Sequence, residues 1–170
     1  EEPPQTMREA CDNLTDRSLC QAASFIAQKR AGVAPLTPVA DTLPNPRTTP
    51  GAINPNITQA NIDATICNPN FAASVKPAPS WTAAAARRLA ERDYPGQPAS
   101  NFQIDQLVPI SLGGAPMDAR NLWLMPWTGP DNAENKDQLE RVLNAMVCAR
   151  QVPLASAQQA IARNWIDLKR

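Results

Sequence analysis

The run Ile104-Asp105-Gln106-Leu107-Val108-Pro109-Ile110-Ser111-Leu112-Gly113-Gly114 decides how the chain is read. With Phe102 in front of it, the apolar residues alternate loosely through Ile104, Leu107, Val108 and Ile110, which predicts a strand over 102–112. Pro109 removes a ladder donor, so that strand belongs at an edge or a bend. Gly113-Gly114 permits a tight turn or a wide loop. Asn121-Leu122-Trp123-Leu124-Met125 is short, apolar and partly aromatic, and reads as a second strand that Pro126 to Pro130 ends. Asp131 or Asn132 then caps a helix running to about Cys148, with Leu139, Val142, Leu143 and Met146 on its buried face. Residues 102–148 therefore form a ββα unit.

Outward from that unit the chain is mainly helical. Pro153 to Trp165 gives a final helix. Upstream, Ser80 is a candidate N-cap for an Ala-rich helix from Trp81 to Asp93, which Tyr94-Pro95-Gly96 stops. Thr58 opens another helix, with Ile62 and Ile66 on one face and Cys67 beside them, and Asn68-Pro69-Asn70 ends it. Residues 31–55 carry six prolines in 25 positions, too many for a helix or a central strand, so they form an extended linker or a strap over the surface. Residues 1–30 show approximate helical spacing interrupted by capping residues at Asp12 to Asp16, consistent with an αα-hairpin. The fold class is α+β: residues 56–170 form a mostly helical domain containing the ββα unit, behind a helical N-terminal segment.

Composition narrows the chemistry. Of 170 residues, 43% are hydrophobic and 19% charged, which favours a folded domain. No apolar run approaches the roughly 18 residues of a membrane span. Lys+Arg and Asp+Glu both total 16 and no basic run occurs, so the charge leans against tight nucleic-acid binding unless folding gathers Arg87, Arg88, Arg92, Arg120 and Lys136. Histidine is absent, which removes the commonest general base near neutral pH. With no CxxC spacing either, a catalytic metal would have to sit on oxygen ligands. The chain opens Glu1-Glu2-Pro3-Pro4, as a mature exported protein does and as a trimmed chain equally would. The cysteines argue the compartment instead. Cys11, Cys20, Cys67 and Cys148 allow three pairings; the favoured one is Cys11–Cys20 as a local staple and Cys67–Cys148 as a long tie, in a periplasmic or extracellular setting.

The run 104–114 resembles the E-L-D-H-x-I-P-L-x-L-G-G segment of HNH-type (ββα-metal) nucleases of exported bacterial proteins. Asn121-Leu122-Trp123 resembles their N-L-W motif, and Asn132-Ala133 with Lys136-Asp137-Gln138-Leu139-Glu140 their N-A and K-D-x-L-E run. The likeness reaches from Thr49-Pro50-Gly51-Ala52-Ile53-Asn54-Pro55 and Thr65-Ile66-Cys67 to Val147-Cys148, Ala157 to Ile161 and Trp165. It implies that Asp105 and Asn132 hold a divalent cation, typically magnesium, and that Asn121 braces the hairpin. It also implies the pairing of Cys67 with Cys148, since both recur in the family. In the family a histidine accepts the proton of the attacking water, and here Gln106 stands in its place. A second family histidine, near Asn144, is missing too.

An amide does not accept a proton at neutral pH. General base catalysis contributes about 10²–10⁴-fold, so activity by the usual route should fall by that order. Asp118 and Glu134 are nearby carboxylates with no spacing argument for either. Taken alone, Asp105 would read as a surface or capping carboxylate and Asn132 as an N-cap. Lys136 and Arg120 are candidate phosphate contacts, with a solvated helix lysine the plainer reading of Lys136. Trp123 and Trp127 could stack on bases but read better as core, as do Trp81 and Trp165. The expectation is a degenerate HNH-like exported protein without efficient nuclease activity, in a binding or structural role toward an unidentified partner, nucleic acid or protein. Two alternatives stay open: a divalent-metal-dependent endonuclease, natively active or inactivated by substitution, and an interaction module acting through the N-terminal helices.

Overall fold

A computed structural model describes residues 43–169. The predicted N-terminal αα-hairpin, the predicted Cys11–Cys20 pairing and most of the predicted Pro-rich strap lie outside the described residues. Six elements follow in order: α1 Phe71–Val75, α2 Pro79–Asp93, β1 Phe102–Gln106, β2 Leu122–Pro126, α3 Ala133–Cys148 and α4 Leu154–Asn164, with 3-10 segments ahead of α1, between α2 and β1, between the strands and after α4. The architecture is α+β, and a two-stranded antiparallel hairpin followed by helices gives the ββα-like unit.

The hairpin register pairs Phe102 with Pro126, Ile104 with Leu124, Asp105 with Trp123 and Gln106 with Leu122. Side chains alternate along a strand, so each face of this ribbon carries its own set. Leu122 and Leu124 join Leu89 and Ala90 of α2, with Phe102, Ile104 and Trp81 packed around them. Trp123 and Met125 join the larger core under α3 and α4, with Leu139, Leu143, Met146, Ile161 and Trp165. A helix thus covers each face. That is why Leu122 to Met125 is apolar at every position, without the alternation of a half-exposed strand.

The first strand is shorter than the alternation predicts. It stops at Gln106, and Pro109 leads into a 3-10 turn at Ile110–Leu112 ended by Gly113 at φ +78. Proline's fixed φ and missing N–H suit the start of such a turn and stop the ladder. Gly114 lies against the backbone of Val108; a Cβ on it would fall 1.6 Å from the Val108 carbonyl oxygen. The segment after Thr58 is likewise tighter than predicted, a 3-10 helix over Gln59–Ala64 in place of an α-helix, although Ile62 and Ile66 are both buried. The Ala-rich helix starts at Pro79 with Ala78 in the cap position, two residues before the predicted Ser80, because proline is preorganised for a first helical turn. α1, just beyond Asn70, has no counterpart among the sequence expectations. Trp127 is 52% exposed and outside both cores, contrary to its reading as core, whereas Trp165 is fully buried.

Long-range ties fix the unit. Cys67 and Cys148 are bridged, with Cα atoms 5.7 Å apart, and Asn144 donates to the carbonyls of Ile66 (3.2 Å) and Ser111 (2.8 Å). The bridge and the Ile66 contact hold the 59–67 segment on α3, and the Ser111 contact holds the 110–112 turn there. The Gln59 side chain accepts the Leu154 N–H at 2.7 Å, supplying from 95 positions away a cap that Pro153 cannot give α4. The end of the strap docks as well: the Thr49 hydroxyl donates to the Leu122 carbonyl at 3.0 Å, and Ile53 bridges to Gly114.

Candidate site: a buried lysine among three carboxylates

β1 turns Asp105 toward α3, where it is 4% exposed. Its Oδ2 accepts the Trp123 indole N–H at 2.7 Å, from the residue directly opposite it in the hairpin. The same oxygen lies 2.8 Å from the Lys136 ammonium. Lys136 is fully buried, and its Nζ also donates to Glu140 Oε1 (2.6 Å) and to the Gln106 carbonyl (3.1 Å). An ammonium has three N–H bonds, and here each finds an acceptor. Asp137 completes the cluster, held by the Gln103 amide at 3.3 Å to both carboxylate oxygens. Oxygens of Asp105, Asp137 and Glu140 lie within 4.8 Å of one another, close enough for the three to share one cation.

Burial sets the proton balance. It pushes the Glu140 carboxyl up to about 8, against the pull of Lys136 and with a push from Asp105. Burial likewise raises Asp105 above the usual carboxylate range, opposed by Lys136 and Trp123. For Lys136, burial works to lower the value and is outweighed by Asp105 and Glu140, which raise it. The lysine therefore stays charged at neutral pH while Glu140 holds a proton.

The other residues singled out from the sequence are placed as follows. Gln106 follows Asp105 on the strand and so turns to the opposite face, where its amide donates to the Pro116 carbonyl at 3.5 Å. Asn121 is fully buried: its Oδ1 accepts from Val108 N at 2.9 Å, and its Nδ2 donates to the carbonyls of Val108 (2.9 Å) and Ala115 (3.0 Å). That side chain clamps the connection between the two strands. Asn132 caps α3, its Oδ1 accepting the Asn135 N–H at 3.0 Å. Lys136 is neither a solvated lysine nor an exposed phosphate contact, since its ammonium is wholly inside. Arg120 is exposed but paired with Asp118 at 2.6 Å, and Arg92 with Asp93 at 2.7 Å. Arg87 and Arg88 are exposed on α2. Lys136 thus takes no part in a basic patch with these arginines.

The sequence reading does not place Asp137, Glu140, Gln103 or Trp123 in the cluster around Asp105 and Lys136. One signal was present: Lys136, Leu139, Glu140 and Leu143 share a helical face whose leucines are core, so the lysine and glutamate had to enter the interior together. Cavities of about 530 and 290 Å³ beside α2 contain none of the three carboxylates. Comparison with protein-family models, curated protein sequences and solved structures returns no match.

Proposed function

We propose that the chain is a degenerate HNH-type nuclease scaffold, exported, without efficient phosphodiester cleavage and acting by binding or as a structural element. Metal-assisted hydrolysis needs a base to activate water and a cation open to the substrate's oxygens. The observation that carries the reading is the engagement of Asp105 by Lys136 and Trp123 beside a glutamine that accepts no proton. The divalent ion that the resemblance implies, magnesium, does not fit the Asp105 and Asn132 arrangement as it stands. Asp105 is already neutralised by an ammonium, and the Asn132 oxygen is occupied in capping α3. The Cys67–Cys148 bridge supports an oxidising compartment, periplasmic or extracellular. Zero net charge gives nucleic acid little support as a partner, and a protein partner is compatible with the reading.

A second reading, an active divalent-metal-dependent endonuclease, draws on the spacing of Asp105, Asp137 and Glu140. Incubating the chain with supercoiled plasmid and magnesium or manganese separates the two. The proposed reading expects the plasmid to stay supercoiled. Metal-dependent nicking that disappears in Asp105→Asn would establish the second reading and sink the first.

A further inference from the structure

The Lys136 ammonium occupies a position defined by oxygens. Asp105 Oδ2, Glu140 Oε1 and the Gln106 carbonyl surround it at 2.8, 2.6 and 3.1 Å, and neither its stem nor its head reaches solvent. A lysine usually keeps its head in water while burying its stem. Here the head is inside, on the α3 face that carries Leu139 and Leu143. Charges so far from water are retained only when paired and fully hydrogen-bonded, and this ammonium is both. The acids outnumber it: Asp105 and Glu140 touch the ammonium, and oxygens of Asp105, Asp137 and Glu140 lie within 4.8 Å of one another. A second cation among the same oxygens would face the ammonium at short range with little solvent between, a strongly repulsive arrangement.

We propose that Lys136 is the built-in cation of this cluster. It takes the place of a divalent ion, makes the cluster independent of metal, and masks a latent three-carboxylate site for a hard divalent cation that opens when its charge and bulk are removed. Carboxylate oxygens suit a hard divalent cation such as manganese or magnesium. The inference rests on the degenerate-scaffold reading only in expecting a cation at Asp105, and its test reads binding without reading cleavage.

Trp123 provides the reporter, because its indole N–H donates to Asp105 Oδ2 at 2.7 Å. Manganese held by Asp105 would erase that N–H signal in a ¹⁵N-labelled spectrum by paramagnetic relaxation, while the exposed Trp127 serves as reference. In the wild-type chain the Trp123 signal should survive excess manganese. In Lys136→Ala it should vanish at substoichiometric manganese, return on competition with magnesium in a diamagnetic background, and resist manganese in Lys136→Ala/Asp105→Asn. A Lys136→Ala chain that folds only with a divalent ion supports the proposal equally. Selective, saturable loss of the Trp123 signal in the wild type overturns it. So does a Lys136→Ala chain that is folded and unresponsive, or one that stays unfolded with and without metal. Plasmid cleavage would refute the functional reading and leave these titrations to be judged by themselves.

Discussion

Asp105 and Gln106 are consecutive in β1 and look in opposite directions: the Asp105 carboxylate meets the Lys136 ammonium at 2.8 Å beneath α3, and the Gln106 amide reaches the Pro116 carbonyl at 3.5 Å on the other side. The two positions that the resemblance makes partners in one reaction therefore serve different neighbours. One neutralises a buried lysine, and the other tethers the loop between the strands.

Replacing the glutamine by histidine tests whether the missing base is the whole defect. If it were, Gln106→His should raise plasmid nicking by about 10²–10⁴-fold, the usual contribution of a general base. Because Lys136 already fills the cation position, we expect Gln106→His to remain as inactive as the wild type in magnesium and manganese. A gain of that size would show that Asp105 is free to take a metal and would refute the built-in cation.

Glu140 makes stability depend on pH in the direction opposite to an ordinary salt-bridged carboxylate. Its folded value of about 8 lies above the reference 4.5, so the folded chain binds the proton more tightly than the unfolded chain. Stability from this group is complete below the unfolded value and is lost as pH rises through the folded one. Asp105, also raised, acts with the same sign, and Lys136 remains charged across the window. Melting temperature should therefore fall between about pH 6 and pH 9, and Glu140→Gln should flatten that slope. A wild-type profile that is level or rises over this range would refute the assignment.

The Cys67–Cys148 bridge closes a loop with a sequence separation of 81. On the chain-entropy model a loop of this length contributes roughly 4–5 kcal/mol. Cys67→Ala/Cys148→Ala should lose about that much in urea unfolding, and reductant should then cost the variant little more. The double substitution is the cleaner measurement, because it removes this bridge alone whereas reductant is not selective among cysteines.

Much of this architecture is legible in the sequence because local chemistry specifies it. Asn132 starts α3, Cys148 ends it, and the apolar run at Leu122 to Met125 marks a strand buried on both faces. The legible part gives out where neighbours distant in sequence decide. Nothing local tells that Gln59 caps Leu154, nor that Asn144 reaches the carbonyls of Ile66 and Ser111. The candidate site was half visible. Asp105 stood out through its motif, but Lys136 looked like any helix lysine. The carboxylate that keeps it inside lies on a strand 31 positions away.

The connection between the strands holds Asp105 in register. Asn121 is an acceptor toward Val108 N and a donor toward the carbonyls of Val108 and Ala115, all between 2.9 and 3.0 Å. Asn121→Asp keeps the shape and the acceptor but turns a donor into a carboxylate oxygen facing two buried carbonyls. It should destabilise by at least ~3 kcal/mol, since buried groups left without partners cost about 1–3 kcal/mol each. Gly114→Ala should be as severe, because the clash with Val108 is backbone against backbone at 1.6 Å. Gly96 provides the control: its φ is +85 but a Cβ there meets nothing within 4 Å. Gly96→Ala should therefore cost only the left-handed backbone strain, about 1–2 kcal/mol. Urea unfolding of the three variants that ranked Gly96→Ala as the most damaging would show that the clamp does not hold the hairpin. If the clamp does hold it, Asn121→Asp should also shift the Trp123 indole N–H signal, because slack at Val108 is passed along β1 to Asp105.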